Sequence, residues 1–133
     1  MKIRRAEKGD MAAIRGLIGL FPGHLVQKNL PRATSFFVAT TADKIIGCCA
    51  LQFYSKRLSE VRSLAVHPDY QEQRVAARLV ECCTERAREL GIKELFAVTS
   101  RTSFFGRLGF APFRREKTAM FLDLGGHTSA ENE

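Results

Sequence analysis

Nowhere in the 133 residues does an apolar run approach the ~20 residues that a membrane-spanning helix requires. The start, Met1-Lys2-Ile3-Arg4-Arg5, also lacks the apolar stretch of a secretory signal. A cytoplasmic protein with no membrane partner is therefore expected. Cysteine is sparse, four residues in two adjacent pairs, Cys48-Cys49 and Cys82-Cys83. Neighbours on a strand point to opposite faces and neighbours on a helix lie ~100° apart, so neither pair converges on a metal ion or closes a bridge. Reduced core thiols and no metal site are the expectation. Clustered positive charge is missing too. The net charge is +7, yet cations such as Arg4, Arg5, Lys56, Arg57, Arg101, Arg107, Arg114 and Arg115 are scattered. None of them alternates with exposed aromatics as in a single-strand binder. Nucleic acid is not the expected partner, whereas a small ligand carrying several phosphates suits the same surplus.

Forty-five per cent apolar residues suffice for one core, so a single domain over residues 1–124 is expected, with a polar, unordered tail over residues 125–133. The organising stretch runs from Glu60 to Gly91. Leu64-Ala65-Val66 ends a short apolar strand, and Pro68 forbids pairing further along. Val75, Leu79, Cys83, Ala87 and Leu90 recur at helical spacing, which predicts a helix over residues 74–90 stopped by Gly91. A strand feeding directly into a helix N-terminus aims unpaired N–H groups and the positive end of the helix dipole at the space above the loop. That arrangement favours an anion.

Elsewhere, Lys2 to Arg5 reads as an edge strand, and Asp10 as the cap of a helix with Met11, Ile14, Leu17, Ile18 and Phe21 on one side, ended by Pro22-Gly23. Residues 24–34 show no period. Strands are predicted over residues 35–41 and 44–54 about an Ala42-Asp43 turn, then over 58–67, 95–98 and 119–124, with a short helix over 103–108. Strands joined by short turns come first and strands flanking helices later, so the sheet should be antiparallel first and locally parallel near the long helix.

The run Leu64-Ala65-Val66-His67-Pro68-Asp69-Tyr70-Gln71 and the helix start after it resemble the acyl-CoA-binding segment of the GNAT acetyltransferase superfamily. Phe104-Phe105-Gly106-Arg107-Leu108-Gly109-Phe110 resembles that superfamily's short helix and turn before its sixth strand. With Ile3-Arg4-Arg5-Ala6 and Gly47-Cys48-Cys49-Ala50-Leu51, the resemblance covers residues 1–124. Gly47 to Leu51, Glu60 to Val66 and Glu94 to Thr99 look most like the acetyltransferase domain of N-acetylglutamate synthase and its stand-alone relatives. The fold so implied is α/β, a mixed central sheet of about six to seven strands flanked by helices, with a parallel pair that splays apart around a cofactor slot.

That resemblance implies an N-acetyltransferase moving an acetyl group from acetyl-CoA to a primary amine, an amino acid or other small carboxylate-bearing amine, glutamate foremost. The backbone of Leu64, Ala65 and Val66 would hold the pantetheine arm, and Gln71, Glu72, Gln73, Arg74, Val75, Ala76 and Ala77 the pyrophosphate, with Phe105 nearby. Arg74 stands where the family loop has its first glycine. At a helical N1 position it keeps the amide and adds a guanidinium, while Glu72 repels phosphate, so weakened but not abolished cofactor binding is expected. Glu60 matches the glutamate that relatives place on this strand, a candidate base. Arg62 on the same strand face, and Lys28 and Arg32 in the segment over the acceptor site, are candidate partners for an acceptor carboxylate. The family tyrosine that protonates the departing thiolate is here Phe105, which leaves Thr99, Ser100 or water. A homodimer would suit the exposed sheet edges. The alternative is a degenerate GNAT domain that binds acyl-CoA or a partner protein in a regulatory role.

Overall fold

β-branched and aromatic residues between tight turns build the sheet, and the turn chemistry sets its order. Lys2–Arg5 (β1) pairs antiparallel with Phe36–Thr41 (β2), which pairs antiparallel with Lys44–Phe53 (β3) through Ala42 and Asp43, both at positive φ (49° and 61°). Two consecutive left-handed residues match the twist of a two-residue hairpin. Leu58–Val66 (β4) pairs antiparallel with β3, and Glu94–Phe96 (β5) pairs parallel with β4, giving the order β1-β2-β3-β4-β5. The computed structural model describes residues 1–71, 74–112, 120 and 122–125. Its chain divides into two compact units, residues 1–100, which hold the whole sheet, and residues 101–133.

Five strands stand among the described residues, against the six to seven expected. The strand predicted over residues 119–124 is the main difference. Ala119 and Phe121 lie outside the described residues, while Met120, Leu122, Asp123 and Leu124 have no strand conformation and are exposed. Residues 126–133 also lie outside them. β5 is shorter and begins earlier than predicted, because Val98 is 83% exposed and lies beyond the ladder.

Helix Met11–Ile18 (α1) buries Ile14, Leu17 and Ile18 against Phe36, Val38, Cys48, Ala50 and Ala65. It ends four residues before Pro22, where the Leu20 and Phe21 N–H groups tighten onto the Leu17 and Ile18 carbonyls three residues back and the Gln27 amide donates to the Ile18 and Leu25 carbonyls (3.0 and 3.1 Å). Asp10 precedes α1 but does not cap it. Its carboxylate accepts from the Glu7 N–H (2.7 Å) and from both terminal nitrogens of Arg4 (2.8 and 3.1 Å), closing the 3-10 turn Lys8–Asp10 instead. Those donors, Arg4 first, hold its carboxyl below the ordinary aspartate value.

Helix Val75–Glu89 (α2) covers the other face with Val75, Leu79, Val80, Cys83 and Ala87 buried. Leu90, expected on that face, falls beyond the last turn and is 45% exposed. The Gly91 N–H bonds to the Arg88 carbonyl and the Ile92 N–H to the Ala87 carbonyl, a Schellman ending with Gly91 at φ 75°. Gly47 sets how closely α2 approaches β3. A Cβ there would lie 2.9 Å from Val75 Cγ1 and 3.0 Å from Leu79 Cδ1. The small residue thus lets the first turns of α2 settle beside the end of β4, where Val66 pairs with Gly47.

In the second unit, Thr102–Arg107 (α3) is followed by Gly109 at φ 98°. Phe105 packs edge-on between Phe104 and Phe110 (ring centroids 5.0 and 5.2 Å), and Arg101 lies 4.4 Å over the Phe104 ring.

Candidate active site

Two irregularities in β4 make the site. The first is where its ladder stops. Parallel pairing with β5 covers Leu58, Ser59 and Glu60, opposite Glu94, Leu95 and Phe96, and beyond Glu60 the β4 edge has no strand partner among the described residues. The peptide groups on that edge from Val61 onward therefore have no ladder partner among the described residues. The second is a bulge. Cys48 pairs with Ala65 but Ala50 pairs with Arg62, so Ser63 and Leu64 together oppose Cys49, with Ser63 at φ 58°. The extra residue rephases the strand. Arg62, paired with Ala50, and Ala65, paired with Cys48, share the α1 face although they are three apart, and Val66 turns to the α2 face.

The buried cysteine pair underlies this kink. The Cys48 thiol donates to the Ser63 carbonyl (3.4 Å) and the Cys49 thiol lies 3.9 Å from the Arg62 carbonyl, giving weak partners to oxygens that an unbroken ladder would have paired. Burial pushes the Cys48 thiol up to about 12. These sulfurs are structural in character.

After β4 the chain makes a 3-10 turn at Pro68–Tyr70, capped when His67 Nδ1 accepts from the Asp69 N–H (3.1 Å). The Gln71 amide reaches back to the Val66 carbonyl (3.1 Å) and ties the loop to the strand end. Arg74 then precedes α2 with φ 59° and ψ 22°. It is not the right-handed N1 residue expected. It occupies the left-handed N-cap conformation that glycine adopts without cost, so arginine here keeps the backbone path a glycine would give. The Arg74 carbonyl accepts from the Arg78 N–H, and the preceding amides of Val75, Ala76 and Ala77 are those a helix leaves without an intrahelical acceptor. Glu72 and Gln73, the other two candidates of this loop, lie outside the described residues.

Glu60 and Arg62 share the α1 face, two residues apart, at the point where β4 and β5 part. Glu60 has a partner that sequence reasoning missed. The Tyr54 hydroxyl donates to Glu60 Oε1 at 2.6 Å, and the Tyr54 ring lies 5.9 Å from that of Phe96, the residue paired with Glu60 on β5. The carboxylate it donates to holds the Tyr54 phenol above the ordinary tyrosine range, while Arg62 pulls the other way. Leu25 and Leu30 pack on the same core as α1, which places the loop between them on the face that carries Glu60 and Arg62. Lys28 is exposed on that loop and Arg32 is exposed just past it, before the 3-10 turn Ala33–Ser35, and neither makes an ion pair among the described residues. Thr99 is half-buried and Ser100 exposed in the segment after β5.

Residues 32–112 match the family model described as an acetyltransferase (GNAT) domain. The chain belongs to the GNAT acetyltransferase family. It is 32% identical over 120 residues to an uncharacterised N-acetyltransferase of Chlorobaculum tepidum, covering 86% of this chain and 77% of that protein. It is 34% identical over 116 residues to the amino-acid acetyltransferase of Mycobacterium tuberculosis, covering 81% and 67%. Among solved structures, Rv2747 of M. tuberculosis in complex with CoA and NLQ superposes with a TM-score of 0.80 at 32% identity, covering 90% of this chain and 77% of that one. N-acetylglutamate synthase of Neisseria gonorrhoeae, complexed with CoA and N-acetyl-glutamate, gives 0.74 at 28% identity, over 81% of this chain and 27% of the larger synthase.

As a GNAT acetyltransferase the protein uses acetyl-CoA as co-substrate. The residues present fit that ligand on two observations: a β4 edge that has no strand partner beyond Glu60 among the described residues, and a loop whose αL turn at Arg74 presents the α2 amides. Of the residues predicted, the fold gathers Glu60, Arg62, Leu64, Ala65 and Val66 on one strand and Gln71, Arg74, Val75, Ala76 and Ala77 just beyond it. Phe105 stands in the second unit and is described there. The signal that could have found Tyr54 was its place just past β3, in phase with Gln52, which pairs with Glu60.

Proposed function

We propose that this GNAT enzyme acetylates the α-amine of a small amino acid, glutamate foremost, within a domain spanning residues 1–124. The observation that carries the reading is the juxtaposition on one face of β4 of a carboxylate, Glu60, and a guanidinium, Arg62, at the mouth of the slot. A free amino acid offers complementary groups. Relatives named amino-acid acetyltransferases, and a neighbour complexed with N-acetyl-glutamate, support the same choice.

Acetyl-CoA supplies an activated acyl group on a thiol that leaves readily. The chain supplies position and proton handling. The backbone of Leu64, Ala65 and Val66 aligns the pantetheine arm, and an amide N–H on the β4 edge beyond Glu60 donates to the thioester carbonyl and polarises it. Gln71, Glu72, Gln73, Arg74, Val75, Ala76 and Ala77 frame the pyrophosphate. The Glu60 carboxylate takes one proton from the acceptor ammonium, directly or through a water, which frees the nitrogen lone pair. Arg62, with Lys28 and Arg32 from the loop above, holds the acceptor carboxylate. As the C–N bond forms and the C–S bond breaks, the nitrogen sheds a second proton, and Thr99, Ser100 or a water relays it to the leaving sulfur, a role Phe105 has no proton to fill. Nothing in this scheme needs nucleic acid or membrane, and a cytoplasmic homodimer is consistent with it.

Calorimetric titration with acetyl-CoA, followed by thiol-release assays across the amino acids, tests the reading. Saturable binding and turnover on glutamate above other amino acids are expected. Binding with turnover on none of them would overturn it in favour of the non-catalytic alternative.

A further inference from the structure

Tyr54 has no role in the reaction as derived so far, yet it is the only side chain among the described residues bonded to the Glu60 carboxylate. Its position is specified from two sides. The Tyr54 N–H bonds to the Leu58 carbonyl where the chain turns from β3 into β4 (3.0 Å), and its ring lies against Phe96 at 5.9 Å and 31°. The phenol therefore approaches Glu60 from a fixed direction, although the residue is 54% exposed. A glutamate has three side-chain torsions, and at the mouth of an open slot most of its rotamers point away from an acceptor. The hydroxyl engages Oε1 and leaves Oε2 with no side-chain bond among the described residues.

We propose that Tyr54 is a positioning residue for the reaction, holding the Glu60 carboxylate in the rotamer that meets the acceptor amine. This rests on the reading of Glu60 as the base. The phenol gives up no proton and exchanges no electrons. It donates one hydrogen bond to the carboxylate before the ammonium proton arrives on the other oxygen, and the geometry of the pair sets how often Glu60 is correctly aimed.

The test compares wild type, Tyr54→Phe, Glu60→Gln and the double variant in steady-state acetylation of L-glutamate. Phenylalanine keeps the ring on Phe96 and removes only the hydroxyl. Tyr54→Phe should lower kcat roughly tenfold, the rate equivalent of one aligning hydrogen bond. The KM for acetyl-CoA and the melting temperature should not change. Glu60→Gln should lower kcat further, and the double variant should be no slower than Glu60→Gln alone, because Tyr54 acts only through Glu60. Wild-type kcat in Tyr54→Phe, or losses that multiply in the double variant, would overturn the proposal. Wild-type kcat in Glu60→Gln would instead sink the base assignment on which it stands.

An arm independent of activity uses the fact that the chain has two tyrosines. In a Tyr70→Phe background, ultraviolet titration follows Tyr54 alone. Its ionisation should lie above the ordinary tyrosine range and fall toward it in Glu60→Ala. An unchanged titration would show that the bond does not persist in solution, and the proposal would fail whatever the acceptor.

Discussion

Arg74 shows how much a single backbone angle decides. In the left-handed region its Cβ crowds the adjoining carbonyl, a cost of about 1 kcal/mol that glycine escapes. Arg74→Gly should therefore raise stability by about 1 kcal/mol, read as a higher urea midpoint at an unchanged slope. The same change removes a guanidinium from the mouth of the phosphate loop. Acetyl-CoA should then bind about threefold to tenfold more weakly, since one exposed charge-assisted contact contributes about 1 kcal/mol. Calorimetry on the two proteins separates the effects. Tighter binding by the glycine variant would mean that the Cβ obstructs the pyrophosphate more than the guanidinium attracts it. The sequence showed that an arginine replaces a glycine in this loop. It did not show that the left-handed angle survives the replacement, because N1 and αL N-cap differ in backbone angles that arginine, as a residue type, does not report.

Elements were legible wherever turn chemistry or periodicity marked them. Ala42-Asp43 fixed the β2–β3 hairpin, Pro68 ended β4, and Gly91 stopped α2 one residue past its cap. The two features that make the site were not legible in that way. The bulge carries Ser63 at positive φ with no glycine to announce it, and the end of the β4–β5 ladder depends on where a distant strand turns away. Asp10 illustrates the same limit, for a side chain that suits an N-cap was drawn to Arg4 and to the turn before α1. A test follows at this scale. Because the folded Asp10 carboxyl sits below its unfolded value of about 3.9, it binds fewer protons folded than unfolded in that window. Its stabilisation is then fully present above the unfolded value and is lost as pH falls through the folded one. Asp10→Asn should cost about 1 kcal/mol at neutral pH, the ordinary net worth of a hydrogen-bonded ion pair at the surface. Urea unfolding at a series of pH values should show the gap between variant and wild type closing under acid. A gap that stays constant to low pH would assign the loss to packing.

At the scale of the whole molecule, β4 is the strand on which packing and chemistry meet. One face packs with α1 and the other with α2, one edge pairs with β3 along its length apart from the bulge at Ser63 and Leu64, and the other is paired only as far as Glu60. The unpaired stretch and the open first turn of α2 are places where a folded chain leaves hydrogen-bonding capacity unused, so local opening should concentrate there. Acetyl-CoA engages the folded state and not the unfolded chain, and in the placement proposed above it would fill both places at once. At a hundred times its dissociation constant it should add about 2.7 kcal/mol to stability and raise the melting temperature by roughly 10 °C for a chain of this size. Hydrogen exchange should slow most at Val61 to Val66 and at Val75 to Ala77, and much less at β1, the opposite edge of the sheet. Because the ligand is a polyanion and the protein carries +7, the thermal shift should shrink as salt rises. A shift with uniform protection across the sheet would locate the ligand elsewhere. Protection confined to those two segments would tie the family's co-substrate to the strand whose ladder stops short.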